Sequence, residues 1–485
     1  MKIAERGNPA MRNWLDRQGL RLDAKPYLSG AFATRRLLER LTVKKVPLND
    51  VTSGHAGGIY NGPQFRRVYL TNPDHSVPFV GSKDMLVADL SSLPRLRKTD
   101  AESPSLHYLR LEPGMTLISC SGFNAGRRAY VRPDMDGYWS SQDVLKVVPD
   151  PGKIGAGYLY AFLASRFGEA LVKGTVYGSA VKHIEPHHIE GLPVPRFDEA
   201  VEKEIHELME GAAALRAASQ RGLNNATRDV FETAGLEDLL DLRWHEQGRD
   251  LGFAPTGLNA TTLRALNFQP RAQEIVRRLG KVEHVTLGEV CAGGQLSRGL
   301  RFPRVDGEPG DTYSYRLVGQ RQAFWLRPEG RWISKAHTSE EVLAEDETVL
   351  VAARGTLGEN EVYGRVILVT GEWSGHAYSE DFLRMRSGLS DFPGAYLSAL
   401  LRSEPLFRVL RSCSTGGKQQ DIHVGLCAAI PVPTLTKEDR QRIASTVRRA
   451  YRQRDEADRK EDLALAALEQ AVARHADLSA ARATG

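Results

Sequence analysis

The chain has 485 residues, of which 41% are hydrophobic and 26% charged, with 65 Lys and Arg against 60 Asp and Glu. This composition is typical of a globular protein, and the length predicts roughly three compact units. No run reaches the roughly 18 apolar residues of a membrane-spanning helix, and the N-terminus lacks the apolar segment of a secretory signal, so we expect a cytoplasmic protein. A net charge of +5 is too small to identify a nucleic-acid partner.

Motifs of catalysis and metal binding are missing from the sequence. There is no GxxxxGK[ST] phosphate loop, no HExxH motif and no [ND]PP-aromatic motif of an amino-methyltransferase. The cysteines form no CxxC pair and have no histidine at ligand spacing, which argues against a zinc site. They stand at Cys120, Cys291, Cys413 and Cys427. We therefore expect no catalytic residue and no metal, and we interpret the cluster of His183, His187 and His188 as a surface feature.

A repeat runs through most of the chain. The stretch "LPVP" ends at Pro195 and "IPVP" ends at Pro433, which places the two stretches 238 positions apart (433 minus 195). Carried backwards, this offset aligns identical residues without a gap. They include Ser141 with Ser379, Asp143 with Asp381, Tyr158 with Tyr396, Gly178 with Gly416, and Ile184 with Ile422. Similar blocks in the same order predict two copies of one unit of about 235 residues.

Each copy has the pattern of a compact α+β module. The β-branched stretches "TLISCSG" and "TVLVAARG" end in glycine, as buried strands entering a turn do. "GYLYAFLASRFGEALV" and "GAYLSALLRSEPLFRVL" have apolar residues at helical spacing and predict helices.

A long helix is predicted after each proline stop. Proline fixes φ and keeps the preceding residue extended, so the helices are expected to begin beyond the stops, with Asp198 and Thr436 as N-caps. Heptad-like spacing indicates that each helix packs along another helix. The residues at this spacing are Val201, Ile205, Leu208, Ala212 and Leu215 in the first copy, and Ile443, Val447, Ala450, Ala457, Ala464, Leu468 and Ala471 in the second, where Arg454 and Glu461 interrupt the core-type positions.

The two copies and their helices resemble the DNA-specificity (S) subunits of type I restriction-modification enzymes. The most specific similarity lies in "TVLVAARGTLG", from Thr348, and in "STGGKQQDIHVGLCAAIPVPTLTKEDRQRIA", from Ser414. The family's usual Pro-Pro-Leu-x-Glu-Gln after the stop is absent. The resemblance implies two target-recognition domains that each recognise half of a split DNA site, and two helices that pack antiparallel as a spacer and dock methyltransferase subunits.

The predicted fold class is therefore α+β, with two repeated target-recognition domains linked by two long helices in an antiparallel coiled coil. The predicted units are a first recognition domain with its helical lead-in at 1–195, a central spacer helix at 196–235, a second recognition domain at 236–433, a C-terminal spacer helix at 434–475, and a disordered tail at 476–485. A helix of about 25–30 residues is about 38–45 Å long, close to the roughly 34 Å of one DNA turn.

Candidate DNA contacts are polar or basic residues beside glycines, because glycine lets the backbone approach a partner closely. They are Lys418, Gln419 and Gln420 in "GGKQQ", with Ser179, Lys182 and His183 as their counterparts, Arg354 and Thr356 after a strand, with Ser121 as counterpart, and Arg128. An ordinary solvated loop is the alternative for each of them.

The leading hypothesis is a non-catalytic specificity subunit of a type I-like restriction-modification or related phage-defence complex. It would bind double-stranded DNA and recruit adenine-N6 methyltransferase subunits, expected as a pair, and a restriction or translocase subunit is a further candidate partner. The resemblance implies no cofactor on this chain, since S-adenosylmethionine would be bound by the methyltransferase. A scaffold for protein or RNA remains an alternative, and a stand-alone nuclease or methyltransferase is disfavoured by the missing motifs.

Overall fold

The structure is a computed structural model that describes residues 30–178, 182–241 and 262–484, with side chains as far as Ala476. It contains two α+β modules and a pair of long helices. None of the helices in these ranges combines the length and the apolarity needed to cross a bilayer.

The first module precedes the first long helix. Its strands are β1 (Lys44–Pro47), β2 (Ile59–Tyr60), β3 (Ser76–Val80), β4 (Arg95–Arg97), β5 (Thr116–Ser119), β6 (Arg128–Tyr130), β7 (Trp139–Ser140), β8 (Val144–Val147) and β9 (Pro193–Arg196). Its helices are α1 (Ala31–Arg40), α2 (Lys98–Ala101), α3 (Ala156–Ala164), α4 (Arg166–Thr175) and α5 (Pro186–Ile189). The long helix α6 (Glu199–Thr233) follows.

The second module lies between the two long helices. Its helices are α7 (Pro270–Leu279), α8 (Leu287–Cys291), α9 (Gly394–Leu401), α10 (Glu404–Ser412) and α11 (Val424–Ala428), and the second long helix is α12 (Lys437–Thr484). Its strands are β10 (His284–Thr286), β11 (Gln295–Arg298), β12 (Ser314–Val318), β13 (Gly330–Ser334), β14 (Thr348–Ala352), β15 (Arg354–Gly355), β16 (Val366–Val369), β17 (Ala377–Tyr378), β18 (Phe382–Arg386), β19 (Ser414–Gly416), β20 (Gln420–Ile422) and β21 (Pro431–Pro433).

The two modules share one topology. The strand order β2-β8-β5-β6 of the first module recurs as β11-β18-β14-β16, and β4-β3-β7 recurs as β13-β12-β17. The register is also repeated, since Phe79 pairs with Trp139 in one parallel pair and Leu317 pairs with Ala377 in the other. Each partner is 238 positions from its counterpart, so the repeated α+β fold predicted from the sequence is confirmed.

Each proline stop is one strand of a short antiparallel pair. β9 pairs with β1, so that Val194 lies opposite Val46, and β21 pairs with β10, so that Val432 lies opposite Val285. Val194 and Val432 are fully buried. Proline contributes no N–H to a ladder, which suits a two-stranded pair at the edge of a module and ends the module before the helix begins.

The two long helices begin with different caps. The Thr436 hydroxyl accepts a hydrogen bond of 3.1 Å from the backbone N–H of Asp439, as an N-cap does. Asp198 occupies the N-cap position of α6 without a side-chain hydrogen bond to the helix. There the Glu202 carboxylate accepts from the backbone N–H of Phe197 at 2.8 Å instead.

Helices α6 and α12 pack antiparallel. The Arg216 guanidinium lies 2.7 Å from the Asp458 carboxylate, Gly222 faces Ala450, and Asp229 pairs with Arg442. The residue numbers of these partners therefore rise along α6 and fall along α12. All seven heptad-spaced side chains of α12, from Ile443 to Ala471, are buried.

The buried face of α6 differs from the predicted one. Ile205 and Ala212 are buried, but Val201, Leu208 and Leu215 are only half-buried. Further residues of the helix are buried, among them Met209, Ala213 and Ala217. The helix packs on α12 along one side and on α3 of the first module along another, so its apolar face is broader than a two-position seam.

Helix α12 runs to Thr484, past the predicted end of the spacer helix at residue 475. The predicted disordered tail from residue 476 on lies almost wholly outside the part of the chain whose side chains the structure describes.

An ion cluster is buried where the helices cross. The Arg216 guanidinium donates to both Asp458 and Glu461, and the Tyr160 hydroxyl of the first module donates to Glu461 at 3.4 Å. Burial opposes the charge on Arg216, but Glu461 and Asp458 outweigh it and raise the pKa of Arg216. Burial likewise opposes ionisation of Glu461, whose pKa Arg216 and Arg327 hold below its usual range.

Candidate nucleic-acid interface

Most of the predicted contact residues that the structure describes come together in two places, one in each module. In the first module, tip 1 consists of residues 121–124, after β5, and residues 182–183. In the second, tip 2 consists of residues 354–358, after β14, and residues 414–420, in the β19–β20 hairpin. In each tip, two segments about 60 residues apart come together, so the tips are the candidate site.

Tip 2 is held by backbone pairing. Arg354 lies opposite Asp421 and Gly355 opposite Gln420, so strand β15 adds to the β19–β20 hairpin. Gly416 turns the hairpin with a φ of 92°, a left-handed conformation that favours glycine. The Gly-Gly sequence therefore builds a tight hairpin with its polar residues at the turn.

Tip 1 has the same construction with fewer bonds. Ser121 and His183 form an isolated bridge, and the N–H of Gly122 donates to the Lys182 carbonyl at 3.0 Å. Behind the bridge, Ile184 N–H donates to the Cys120 carbonyl at 2.9 Å.

The same bond occurs in tip 2, where Ile422 N–H donates to the Ala353 carbonyl at 3.0 Å. The two tips can therefore be aligned residue by residue, with Ser121 matching Arg354 and Phe123 matching Thr356.

Both tips use the same repeated aspartate. In tip 2, Arg354 pairs with Asp381 at 3.0 Å and with Asp421 at 3.3 Å, and Arg298 also pairs with Asp421. In tip 1 the counterpart of Asp381 is Asp143, which accepts a hydrogen bond of 2.8 Å from the Ser121 hydroxyl. The cationic side chain of Arg354 is thus oriented by two carboxylates at the base of tip 2.

Several candidate side chains are free to reach a partner. Thr356, Lys418 and Gln419 are exposed in tip 2, and Lys182 is partly exposed in tip 1. Hydroxyl, ammonium and amide groups of this kind contact DNA phosphates and base edges.

Other candidates already have internal partners. Gln420 is only 4% exposed, and its side chain donates to the Gly417 carbonyl and accepts from Arg264 at 2.7 Å. Arg128 pairs with Glu169 at 2.9 Å. We therefore leave Gln420 and Arg128 out of the proposed interface, while Ser179 lies outside the described residues.

Sequence reasoning missed Phe123. Its side chain is 85% exposed at the point of tip 1 that corresponds to Thr356. The signal was present in the alignment of "SGFNAG" with "RGTLG", because Phe123 and Thr356 each directly follow a glycine. A phenyl group can contact a thymine methyl group, as a threonine methyl can.

A buried lysine lies behind tip 1. Lys146 in β8 is fully buried, and its Nζ donates to the Val144 carbonyl at 2.9 Å. Burial lowers the pKa of Lys146 to about 7. Burial and the nearby Asp143 raise the pKa of the Cys120 thiol to about 12, so that thiol stays protonated and unreactive at neutral pH.

The histidine cluster takes part in local structure. The His188 ring accepts a hydrogen bond of 3.0 Å from the backbone N–H of Glu185, and its centroid lies 4.0 Å from that of His187. Within the described ranges, no group of three or more His, Cys, Asp or Glu side chains is placed to hold a metal ion.

Comparisons with known proteins give structural neighbours only. No protein-family model and no curated protein matches the sequence. Among solved structures, the S subunit of a type I restriction-modification system from M. genitalium is 10% identical, with a TM-score of 0.34 over 90% of this chain and 96% of that one.

Two further structures have the same kind of likeness. A chain from a type I restriction-modification complex is 16% identical, with a TM-score of 0.26 over 88% of this chain and 97% of that one. The HsdS subunit of Thermoanaerobacter tengcongensis is 14% identical, with a TM-score of 0.26 over 88% and 96% of the two chains. Each of the three likenesses extends over at least 88% of this chain.

Proposed function

We propose that this chain is a sequence-specific DNA-binding subunit that recognises a bipartite site and recruits an adenine-N6 DNA methyltransferase. It belongs, on this proposal, to a type I-like restriction-modification or related phage-defence complex. The observation that carries the proposal is the pair of equivalently built tips on modules joined by an antiparallel helix pair.

Both modules pack directly on α6. The first module contacts α6 at His206, whose ring accepts from the Gly157 N–H at 3.0 Å, and the second contacts it at Thr227, which donates to the Ala399 carbonyl at 3.0 Å. The first module also reaches further along α6, where the Gln220 side chain accepts a hydrogen bond of 2.9 Å from the Leu90 N–H. On this proposal the helix sets how the two tips lie along a duplex, whose turns repeat about every 34 Å.

The tips differ in chemistry, so the two half-sites should differ in sequence. Tip 2 presents Thr356, Lys418 and Gln419, whereas tip 1 presents Phe123 and Lys182. Gln is suited to the edge of adenine and Lys to guanine or phosphate, while Phe contacts apolar parts of bases. A non-palindromic site is therefore expected.

The chain itself is proposed to be non-catalytic. The sequence motifs that resemble S subunits support the recruitment of separate methyltransferase subunits, which would bind S-adenosylmethionine. The exposed sides of α6 and α12 are the natural place for such partners to dock.

Sequencing that detects modified bases tests this function in the native cells. We expect one bipartite, non-palindromic motif with a fixed spacer, methylated when the gene is intact and unmethylated when it is deleted. A deletion that changes no methylated motif would overturn the proposal. If RNA co-purifies with the chain and no methylated DNA motif depends on the gene, the scaffold hypothesis would be favoured instead.

A further inference from the structure

The two modules touch each other directly at one short backbone bridge. Val87 in the first module lies opposite Trp325 in the second, in antiparallel fashion. The N–H of Ala88 donates to the Phe324 carbonyl at 2.9 Å, and the N–H of Leu326 donates to the Leu86 carbonyl at 2.7 Å. We call these two segments, 86–88 and 324–326, the dyad bridge.

The bridge lies on an internal two-fold axis. Val87 and Trp325 are 238 positions apart (325 minus 87), so each is the counterpart of the other in the repeat. The same offset relates Ala88 to Leu326 and Leu86 to Phe324, so each of the two hydrogen bonds is the counterpart of the other. A reciprocal pair of this kind arises when two equivalent surfaces meet face to face.

Both sides of the bridge are built alike. Met85 N–H donates to the Gly81 carbonyl at 3.1 Å, and Ala323 N–H donates to the Gly319 carbonyl at 3.0 Å. These turns present each bridge segment in one fixed conformation.

Side chains beside the bridge also link the modules. Asp89 of the first module pairs with Arg402 of the second at 2.6 Å. Burial opposes ionisation of Asp89, but Arg402 and the hydrogen bonds from Ser91 and Gln220 outweigh it and hold its pKa well below the usual range. On the other flank, Arg127 pairs with Glu329 and lies 4.5 Å from the Trp325 ring centroid.

From this geometry we infer that the dyad bridge is a spacing determinant, which fixes the distance and the rotation between tip 1 and tip 2 and so restricts the chain to one spacer length. The inference rests on the proposed function. The helix pair joins the modules at one side, where side chains of α6 and α12 share a buried core with each module. The bridge is a second attachment, at the axis, and two bodies joined at two separate places keep a fixed orientation.

The matched variants are Ala88→Pro, which removes the Ala88 N–H, and Ala88→Gly, which keeps it. The first readout needs no DNA. Dyes at Asn124 and Lys418 should give a narrow distribution of transfer efficiencies in the wild type and in Ala88→Gly, and a broad one in Ala88→Pro. Equal widths in all three proteins would overturn the inference whether or not the chain binds DNA.

The second readout uses the methyltransferase complex and duplexes whose spacer is the native length or differs by one base pair. Wild type and Ala88→Gly should bind the altered spacers at least tenfold more weakly than the native spacer. In Ala88→Pro this ratio of affinities should fall to about twofold to threefold. An unchanged ratio in Ala88→Pro would contradict the inference. If the wild-type complex shows no preference among DNA sequences, only the proposed function is refuted. If Ala88→Pro does not fold, Arg127→Ala combined with Glu329→Ala replaces it, with Arg304→Ala, inside the second module, as the control.

Discussion

The hydroxyl of Tyr158 donates a hydrogen bond of 2.5 Å to the carbonyl oxygen of Pro195. Its counterpart Tyr396 donates to the carbonyl of Pro433 at 2.8 Å. Both tyrosines are fully buried, so each hydroxyl needs a partner inside the protein. The proline stop is thus tied to the module core by the same side chain in both copies.

Replacing Tyr158 by Phe should lower the free energy of unfolding by about 1–2 kcal/mol, because the buried Pro195 carbonyl loses its donor. Urea unfolding followed by fluorescence measures the change. Tyr313→Phe is the control, since Tyr313 is 78% exposed and should have no effect. Equal stability of Tyr158→Phe and wild type would mean that water or another group satisfies the carbonyl.

Replacing Arg216 by Ala should destabilise the helix pair by about 3–5 kcal/mol, because the buried Asp458 and Glu461 would lose their buried counter-charge and keep only the partly exposed Arg327. Arg459→Ala on the same helix pair should lose less than about 1 kcal/mol, since the Arg459 side chain is 58% exposed. Thermal and chemical unfolding compare the two. A loss for Arg216→Ala no larger than for Arg459→Ala would contradict the buried cluster.

The stability of the protein should rise with pH above neutrality because of Lys146. Its folded pKa is about 7 against an ordinary value of 10.5, so between these values the unfolded chain binds one proton more than the folded one. The free energy of unfolding then increases by at most about 1.4 kcal/mol per pH unit between about pH 7 and about pH 8.5. Above that range the Cys120 thiol, whose pKa is raised to about 12 in the folded protein, opposes the increase. Unfolding in urea at several pH values should show this slope.

Lys146→Met should remove the slope and raise stability at pH 7 and below. Lys98→Met, at a half-exposed lysine of the same module, should leave the slope in place. A slope that persists in Lys146→Met would assign it to another group.

Lys418→Ala should weaken DNA binding by the methyltransferase complex at every sequence and reduce the slope of log K against log salt concentration by about 1. Binding titrations at several salt concentrations measure both quantities. Lys335→Ala provides a control outside the tips. If Lys418→Ala keeps the wild-type slope, the lysine makes no phosphate contact.

The sequence predicted the parts of the fold that leave a repeated pattern. The 238-residue offset located both modules, the proline stops and the long helices, and the glycine-ended strands located the tips. Orientation within these elements was less accessible. Gln420 was a natural candidate beside Lys418 and Gln419, but alternate residues of a strand face opposite ways, and the Gln420 side chain turns inward to Arg264.

Contacts between distant segments left no readable signal. The dyad bridge is made by backbone groups, which every residue has, so the side chains of residues 86–88 and 324–326 do not encode it. The heptad pattern also failed to predict all the buried residues of α6, because Met209 and Ala213 pack against the first module as well as against α12. Phe123 becomes a candidate contact residue only when it is aligned with Thr356.

The ion cluster at the helix crossing makes the two halves of the chain unequal partners. The residues that neutralise Arg216 are Asp458 and Glu461, and their counterparts in the first half are Gln220 and Leu223. Two copies of the first half, paired through the same helix face, would bury Arg216 against an amide and an aliphatic side chain. The duplicated halves have therefore become complementary: the first half finds the counter-charges for its buried arginine in the second half and not in another copy of itself.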